Sequence, residues 1–377
     1  MKVEAHGLIY DATANRPPHE RIAFFTGLLP MSSGTILSSK QLGTSKHGAD
    51  STIRLHRSHD GGNTWHDTGA RFPREIDGVP GSYAAGEMVE IERGKLMMFT
   101  TWFDRSEPER PLFDPVTEGV LHDKQLCAVS TDEGSTWSKW QEIPRQGLKG
   151  CAMCGPPVRW SDGTIGFVFE SFKEYDDPTP GRHGAWMLIS RDGGRTFPTL
   201  FKVAQHPEHR LYYWDQRLFA LPKPGEFLAM FWTHDLKDKR DLNVHFRVGS
   251  IDEPEGESAK VVPTSIQGQI AAPLVLDDGR WLAFVVDRNQ PPTMKLWVSR
   301  DQGRSWPEQL VVYNHDEQAK LSQGSTNIDF KQYWEDMGKW SFGHPSIRLL
   351  DRNHALVSHY GGTPDTMSAH WARVNLD

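Results

Sequence analysis

The sequence predicts an all-β chain, one six-bladed β-propeller of four-stranded antiparallel blades with Asp-box turns spanning residues 1–377. Three observations predict it. One turn motif recurs four times along the chain, and a hairpin signal recurs six times in alternation with it. Glycine and proline, at 34 and 25 residues, punctuate the chain too often for a helical bundle.

The first motif has the form S-x-D-x-G-x-[ST]-[WF]. It runs from Ser58 to Trp65, Ser130 to Trp137, Ser190 to Phe197 and Ser299 to Trp306, with a decayed copy at Ser250–Asp252. An Asp side chain can accept from backbone N–H groups a few residues on and so closes a turn. Gly supplies the positive φ that such a turn requires. The aromatic residue then re-enters the core as the next strand begins. Each copy follows a β-like run such as Leu126–Val129 or Ala185–Ile189. The motif therefore joins two antiparallel strands.

The second signal is a tight turn followed by alternating apolar residues. Its copies centre on Gly34, Gly94, Gly163, Gly225, Gly279 and Asn353. Each repeat then reads as strand, hairpin, strand, loop, strand, Asp turn, strand. Four-stranded units repeated in this way make a propeller. The last unit lacks a fourth strand, and Val3–Ile9 is the segment expected to supply it, which would leave no free sheet edge.

Composition narrows the function classes. The net charge of −7 comes with no basic run, which weighs against a nucleic-acid partner. No stretch approaches the roughly 18 apolar residues of a membrane span, so no membrane partner is expected. The opening Met1–His6 has no apolar signal region, giving a cytoplasmic expectation. Three cysteines exclude a disulfide scaffold. Cys151 and Cys154 read as inert thiols rather than a metal or redox pair. No metal or other cofactor is expected, and the oligomeric state is left open.

In this topology the hairpins and Asp turns share one face of the ring. The opposite face receives the loops between second and third strands and the connections between blades. Those segments carry Lys46, His47, Asp50, Trp102, Glu170, Trp232, His234, Arg288, His359 and Tyr360, and also Arg21, Trp214, Asp215, Arg217 and His344. Aromatic faces beside Asp, Arg and His suit a sugar, because rings cover C–H surfaces while polar groups bond hydroxyls. The charged insertion Ser106–Asp123 is expected at the rim. A short amphipathic helix is expected over Ile328–Gly338, as a plug under the last blade or a lid over the well.

Together the four boxes make the sequence resemble the sialidase-like, Asp-box (BNR) superfamily over nearly the whole chain. The resemblance implies a six-bladed propeller and a glycosidase-type site. It aligns Arg21-Ile22-Ala23 with that family's carboxylate-binding arginine motif, and Asp50 with its acid/base aspartate. It sets Asp215 in the place of the glutamate that activates a tyrosine nucleophile. Other family positions differ: Trp232–His234 and Gln269–Pro273 stand where two further arginines are expected, and Gly343–Ser346 where the nucleophile is expected.

Three functions fit. The first is exo-acting hydrolysis of a terminal acidic sugar from a glycan, with Arg21 as anchor, Asp50, Glu170 and Asp215 as carboxylates, and His344 at the reacting centre. Trp214, Trp232 and Arg217 would shape that subsite. The second is β-elimination at a uronic acid, with His344 or His359 as base and Tyr360 as acid. The third is a glycan-binding propeller without catalysis.

Overall fold

A computed structural model describes residues 1–254, 260–289, 291–315 and 337–377. The expected helix over Ile328–Gly338 lies, save its last two residues, outside the described residues. Among the described residues no helix is long and apolar enough to cross a membrane.

Six units of antiparallel strands follow one another along the chain. The first comprises Ile22–Pro30, Ile36–Gly43, Thr52–Ser58 and His66–Asp67. The second comprises Gly81–Glu92, Lys95–Asp104, Asp123–Ser130 and Gln141–Glu142. In the third, an inner strand split into Gly150–Met153 and Val158–Arg159 precedes Ile165–Phe172, Gly184–Ser190 and Thr199–Ala204. The fourth runs through Leu211–Ala220, Glu226–Asp235, His245–Ser250 and Val262–Pro263. The fifth runs through Ala271–Val275, Trp281–Asp287, Thr293–Ser299 and Glu308–Asn314. The last combines Phe342–Asp351, His354–Thr363 and Thr366–Asn375 with Lys2–Tyr10 from the other end of the chain.

The N-terminal strand pairs antiparallel with the C-terminal one, Val3 facing Val374 and Gly7 facing Trp371. A parallel pair, Ile22 with Met367, joins the last unit to the first. Each unit packs on the next in chain order, and the inner strand of the last packs on that of the first. The core therefore lies in the gaps between units. Phe99, Phe167 and Phe169 fill the second gap, and Phe284, Leu296 and Val357 fill the fifth.

The six hairpins and four Asp boxes form where the sequence places them, and all the boxes share one hydrogen-bond pattern. Each Ser hydroxyl donates to the Asp carboxylate at 2.8 Å. It also accepts the Gly N–H at 2.8–2.9 Å. The Thr or Ser four residues past the Asp donates its N–H and O–H to the same carboxylate, and these bonds hold all four carboxyls down at about 2. The boxes also fasten units together. Gly134 has φ of 82°, and a Cβ there would meet the Leu37 side chain of the preceding unit at 2.7 Å.

One buried cation lies away from the inner strands. Lys40, in the first unit, is fully buried with its Nζ 2.7 Å from His56 Nδ1, and burial brings its amine down to about 7.

Two predictions follow from these bonds. Asp132→Ala removes three acceptor contacts at once and lowers stability by about 1–2 kcal/mol, read in thermal unfolding; the boxes' shared contribution is present above the unfolded Asp value and is lost as pH falls through about 2. For Lys40, the unfolded chain holds a proton that the folded chain has released from about pH 7 up to the free-lysine value, so stability rises with pH across that window. Lys40→Met removes that rise and stabilises the neutral protein; urea titrations across pH measure both.

Candidate functional site

The inner strands are irregular at one common height. The ladder slips between Phe24 and Gly27, Ala84 and Glu87, Trp214 and Arg217, and Gly343 and Ser346. At these slips Phe25, Ala85, Asp215 and His344 adopt φ of 49°, 57°, 48° and 55°. A non-glycine residue in that region costs roughly 1–3 kcal/mol. The extra residue leaves the pleat, which re-aims its side chain. The third inner strand breaks after Met153, and the fifth starts only at Ala271.

These breaks surround a cavity with about 900 Å³ of space, part of it open to solvent. Phe25, Ala84, Cys154, Asp215, Ile270 and His344 line it, one from each unit. Phe103, Phe113, Phe172, Trp214, Trp232 and Trp340 add aromatic walls, with Leu112 and Phe113 coming from the Ser106–Asp123 insertion.

The polar groups fall into three sets. Glu170 and Asp215 share one wall. Burial, then the negative charge of Asp215, push Glu170 well above the usual carboxylate range. Asp215 is raised by burial and pulled back by Arg217, Arg288 and Lys46. The fully buried Arg217 donates through Nη1 to the Asp215 carbonyl at 3.0 Å and sits 3.7 Å from its carboxylate. It therefore underlies the cavity rather than lining it. The Cys154 thiol beside this pair is driven well above its ordinary value by burial, then by Glu170.

Lys46, whose amine is lowered by burial, makes the second set. Its Nζ donates to the carbonyls of Met337 and Trp340 at 2.8 and 3.2 Å and to the Tyr360 hydroxyl oxygen at 3.0 Å. An ammonium has three N–H donors, and here all three are engaged. Lys46 is thus a clamp, and the Tyr360 O–H is left to donate into the cavity. His47 beside it is driven to about 3 by burial, and its Nε2 meets Met337 Sδ at 3.1 Å.

The third set carries open valences. Arg288 stacks on Trp340 at 4.3 Å and donates one N–H to the Phe342 carbonyl at 3.2 Å. Its Nε and Nη1 are buried without a hydrogen-bond partner among the described residues. His344 bonds the Thr26 carbonyl through Nδ1 at 3.2 Å, while its buried Nε2 has no partner among the described residues. Burial keeps that ring far below its ordinary value, so it is a neutral acceptor.

Six expected site residues stand elsewhere. Besides Arg217 below the floor, Arg21 is exposed at the start of the first unit and donates to the Arg16 carbonyl at 3.0 Å. Asp50 closes its own loop, accepting from the Thr44 N–H at 3.0 Å and its hydroxyl at 3.0 Å. Trp102 is buried between the first two units with Nε1 donating to the Arg74 carbonyl at 2.8 Å. His359 packs in the core, parallel to His370 at 5.1 Å. His234 bonds Asp241 at 3.0 Å behind the Trp214 wall. The anchor and acid/base roles assigned to Arg21 and Asp50 thus lack a cavity-facing group.

One signal in the sequence marks the height of the cavity to within one residue, giving Ala85 in the second unit where Ala84 is the residue that lines it. Nine positions before hairpin residues Gly34, Gly94, Gly163, Gly279 and Asn353 come Phe25, Ala85, Cys154, Ile270 and His344. Asp215 comes ten before Gly225. Equal distance from the hairpin means equal height on the inner strand.

No protein family and no curated protein matches the sequence. Solved structures match over the whole chain. A protein of unknown function from Dyadobacter fermentans superposes with a TM-score of 0.71 at 17% identity, covering 100% of both chains. An α-L-arabinanase from Penicillium chrysogenum, complexed with arabinobiose, gives 0.64 at 12%, covering 100% of this chain and 99% of that one. A variant of the NanB sialidase from Streptococcus pneumoniae gives 0.63 at 13%, covering 98% and 70%. The likeness is one of fold, and it agrees with the sialidase-like resemblance read from the Asp boxes.

Lys46→Met would leave the Met337 and Trp340 carbonyls without their donor. The expected cost is about 1–3 kcal/mol, read as a lower denaturant midpoint, whereas an unchanged midpoint would show that Lys46 clamps nothing.

Proposed function

We propose that the six units close into a six-bladed β-propeller whose central cavity is the active site of a glycoside hydrolase removing a terminal acidic sugar from a glycan. Support for the ring is the packing of each unit on the next and the pairing of Lys2–Tyr10 with the C-terminal strand. The observation that carries the activity is one cavity holding two carboxyls that act on each other, Glu170 and Asp215, together with the Arg288 guanidinium, whose Nε and Nη1 meet no hydrogen-bond partner among the described residues.

Glu170, held protonated, gives its proton to the glycosidic oxygen as the bond to the anomeric carbon breaks. Asp215 faces the positive charge that develops on the ring and anomeric carbon, and receives the proton of the water that completes hydrolysis. The buried N–H donors of Arg288 take the sugar carboxylate in charge-assisted hydrogen bonds. Trp340 and Trp232 cover the apolar face of the ring.

A second reading has one specific observation behind it. The Lys46–Tyr360 bond and the bare Nε2 of His344 form an acid and a base suited to β-elimination at a uronic acid. That reaction leaves a C4–C5 double bond, which hydrolysis does not.

A glycan panel read for both released sugar and new double-bond absorbance tests the two. Hydrolysis predicts released sugar alone. Glu170→Gln should lower kcat about 10²- to 10⁴-fold with the fold retained. Because Glu170 must be protonated and Asp215 ionised, kcat/KM should be bell-shaped in pH, falling in acid as Asp215 takes up a proton and in base, above the ordinary carboxylate range, as Glu170 loses one. Double-bond absorbance, or full activity in Glu170→Gln, would overturn the hydrolase assignment.

A further inference from the structure

Glu170 stands at a border inside the cavity. One neighbour is Asp215, the carboxyl that the charges of Arg288 and Lys46 reach. Its other neighbours are apolar. Ala152 faces Glu170 across the ladder, and Phe172 lies two residues further along the same strand, so both project to the same side of the sheet as Glu170. Ala152 and Phe172 join Phe25, Phe103, Leu112 and Phe113 in one apolar cluster that lines the same cavity. Within it Phe113 meets Phe172 edge to face, with ring centroids 5.2 Å apart.

Three features make this cluster a receiving surface rather than sealed core. Phe25, Ala152 and Phe172 are only half-buried, so they keep area open to the cavity. The wall behind them is pinned: in the Ser106–Asp123 insertion the Val120 N–H donates to the Lys173 carbonyl at 3.0 Å and the Leu121 N–H to the Leu112 carbonyl at 3.0 Å. The rings of His47, His183 and His344, which touch the cluster, are all held neutral by burial.

We propose that this side of the cavity receives an aromatic or alkyl aglycone, so that the substrate is a glycoconjugate whose acidic sugar is joined directly to an apolar group. The proposal rests on the hydrolase reading and narrows its leaving group. A sugar carboxylate held at Arg288 puts the sugar ring on the Asp215 side of Glu170, which leaves the Ala152 and Phe172 side for the departing group. Glu170 gives its proton to the departing oxygen as the bond from that oxygen to the anomeric carbon breaks. Water adds its hydroxyl to the anomeric carbon and gives its proton to Asp215, and the aglycone leaves as an alcohol or phenol. A second sugar against these residues would give up its hydrogen bonds to water without replacement. Alkyl or aryl surface gains by leaving water, and an aryl group also packs against the Phe113 and Phe172 rings.

The test compares methyl, n-hexyl and galactosyl conjugates of the sugar released in the glycan panel. Methanol and hexanol are leaving groups of similar basicity, so the difference between those two conjugates reports contacts. Wild-type kcat/KM should be at least tenfold higher for the n-hexyl than for the methyl conjugate, since burial of about two methylenes suffices for that factor. It should also exceed that for the galactosyl conjugate. Phe172→Ala should cut the hexyl-to-methyl ratio about tenfold, and Leu112→Ser, on another unit, repeats the measurement should that variant not fold. A hexyl conjugate no better than the methyl or galactosyl one, or an unchanged ratio in the variants, would overturn the aglycone assignment while leaving hydrolysis intact. Should the panel release no sugar, the hydrolase reading fails, and calorimetric titration with 2-naphthol decides the apolar side by itself. Binding that Phe172→Ala weakens about tenfold upholds it; no binding, or equal binding by both proteins, overturns it.

Discussion

The cavity depends on a break in hydrogen bonding that recurs at one height of the inner strands. A continuous ladder would keep every inner side chain on one sheet face or the other, packed against a neighbouring unit. The slip at Phe25, Asp215 and His344 removes one residue from that alternation and turns it toward the middle. The positive φ at each of these residues is the cost, and the packing between units is what sustains it. Gly343 shows how tight the fit is: its φ is 146°, and a Cβ there would lie 2.6 Å from Arg288 Nη2.

Burial then sorts the ionisable groups by what they can do. Lys46 and Arg288 are both buried cations near Tyr360 and Trp340, yet they differ in free valence. Lys46 has filled its donors with protein oxygens, and so acts on the shape of the site. Arg288 keeps buried donors that no group among the described residues meets, a state worth about 1–3 kcal/mol of unrelieved desolvation. The same low-dielectric surroundings hold Glu170 neutral and His344 uncharged, so the cavity offers an acid and an acceptor without a strong base. Under the floor, Arg217 balances Asp215 and also lies within electrostatic reach of Glu87, whose carboxyl burial lifts to about 7.

Much of the fold was legible because its signals are local. An Asp box needs only eight residues to close its hydrogen bonds, and the hairpins fewer, so Ser130–Trp137 and Gly94 announce themselves without any distant partner. The decayed copy at Ser250–Asp252 likewise ends a third strand. Side-chain direction was less legible, because neighbouring strand residues point opposite ways. Trp102 lies in the core while Phe103 lines the cavity, and His359 lies in the core while Tyr360 lines it. Reading a loop by its polar residues picks both members of such pairs. Of the expected residues, Lys46, His47, Glu170, Trp214, Asp215, Trp232, Arg288, His344 and Tyr360 line the cavity, while Phe25, Cys154, Phe172 and Trp340 line it unannounced, since an apolar side chain carries no chemical flag. Arg21 and Asp50 were drawn from a motif likeness, and local bonds to Arg16 and Thr44 claim both side chains instead.

Three indoles, those of Trp214, Trp232 and Trp340, stand on the cavity walls and touch one another, with centroids 5.2 and 5.5 Å apart. Their fluorescence is therefore an intrinsic optical gauge of the space they enclose. A molecule settling between them changes the polarity and quencher access of the whole cluster, so occupancy becomes visible in emission without any attached dye and without turnover.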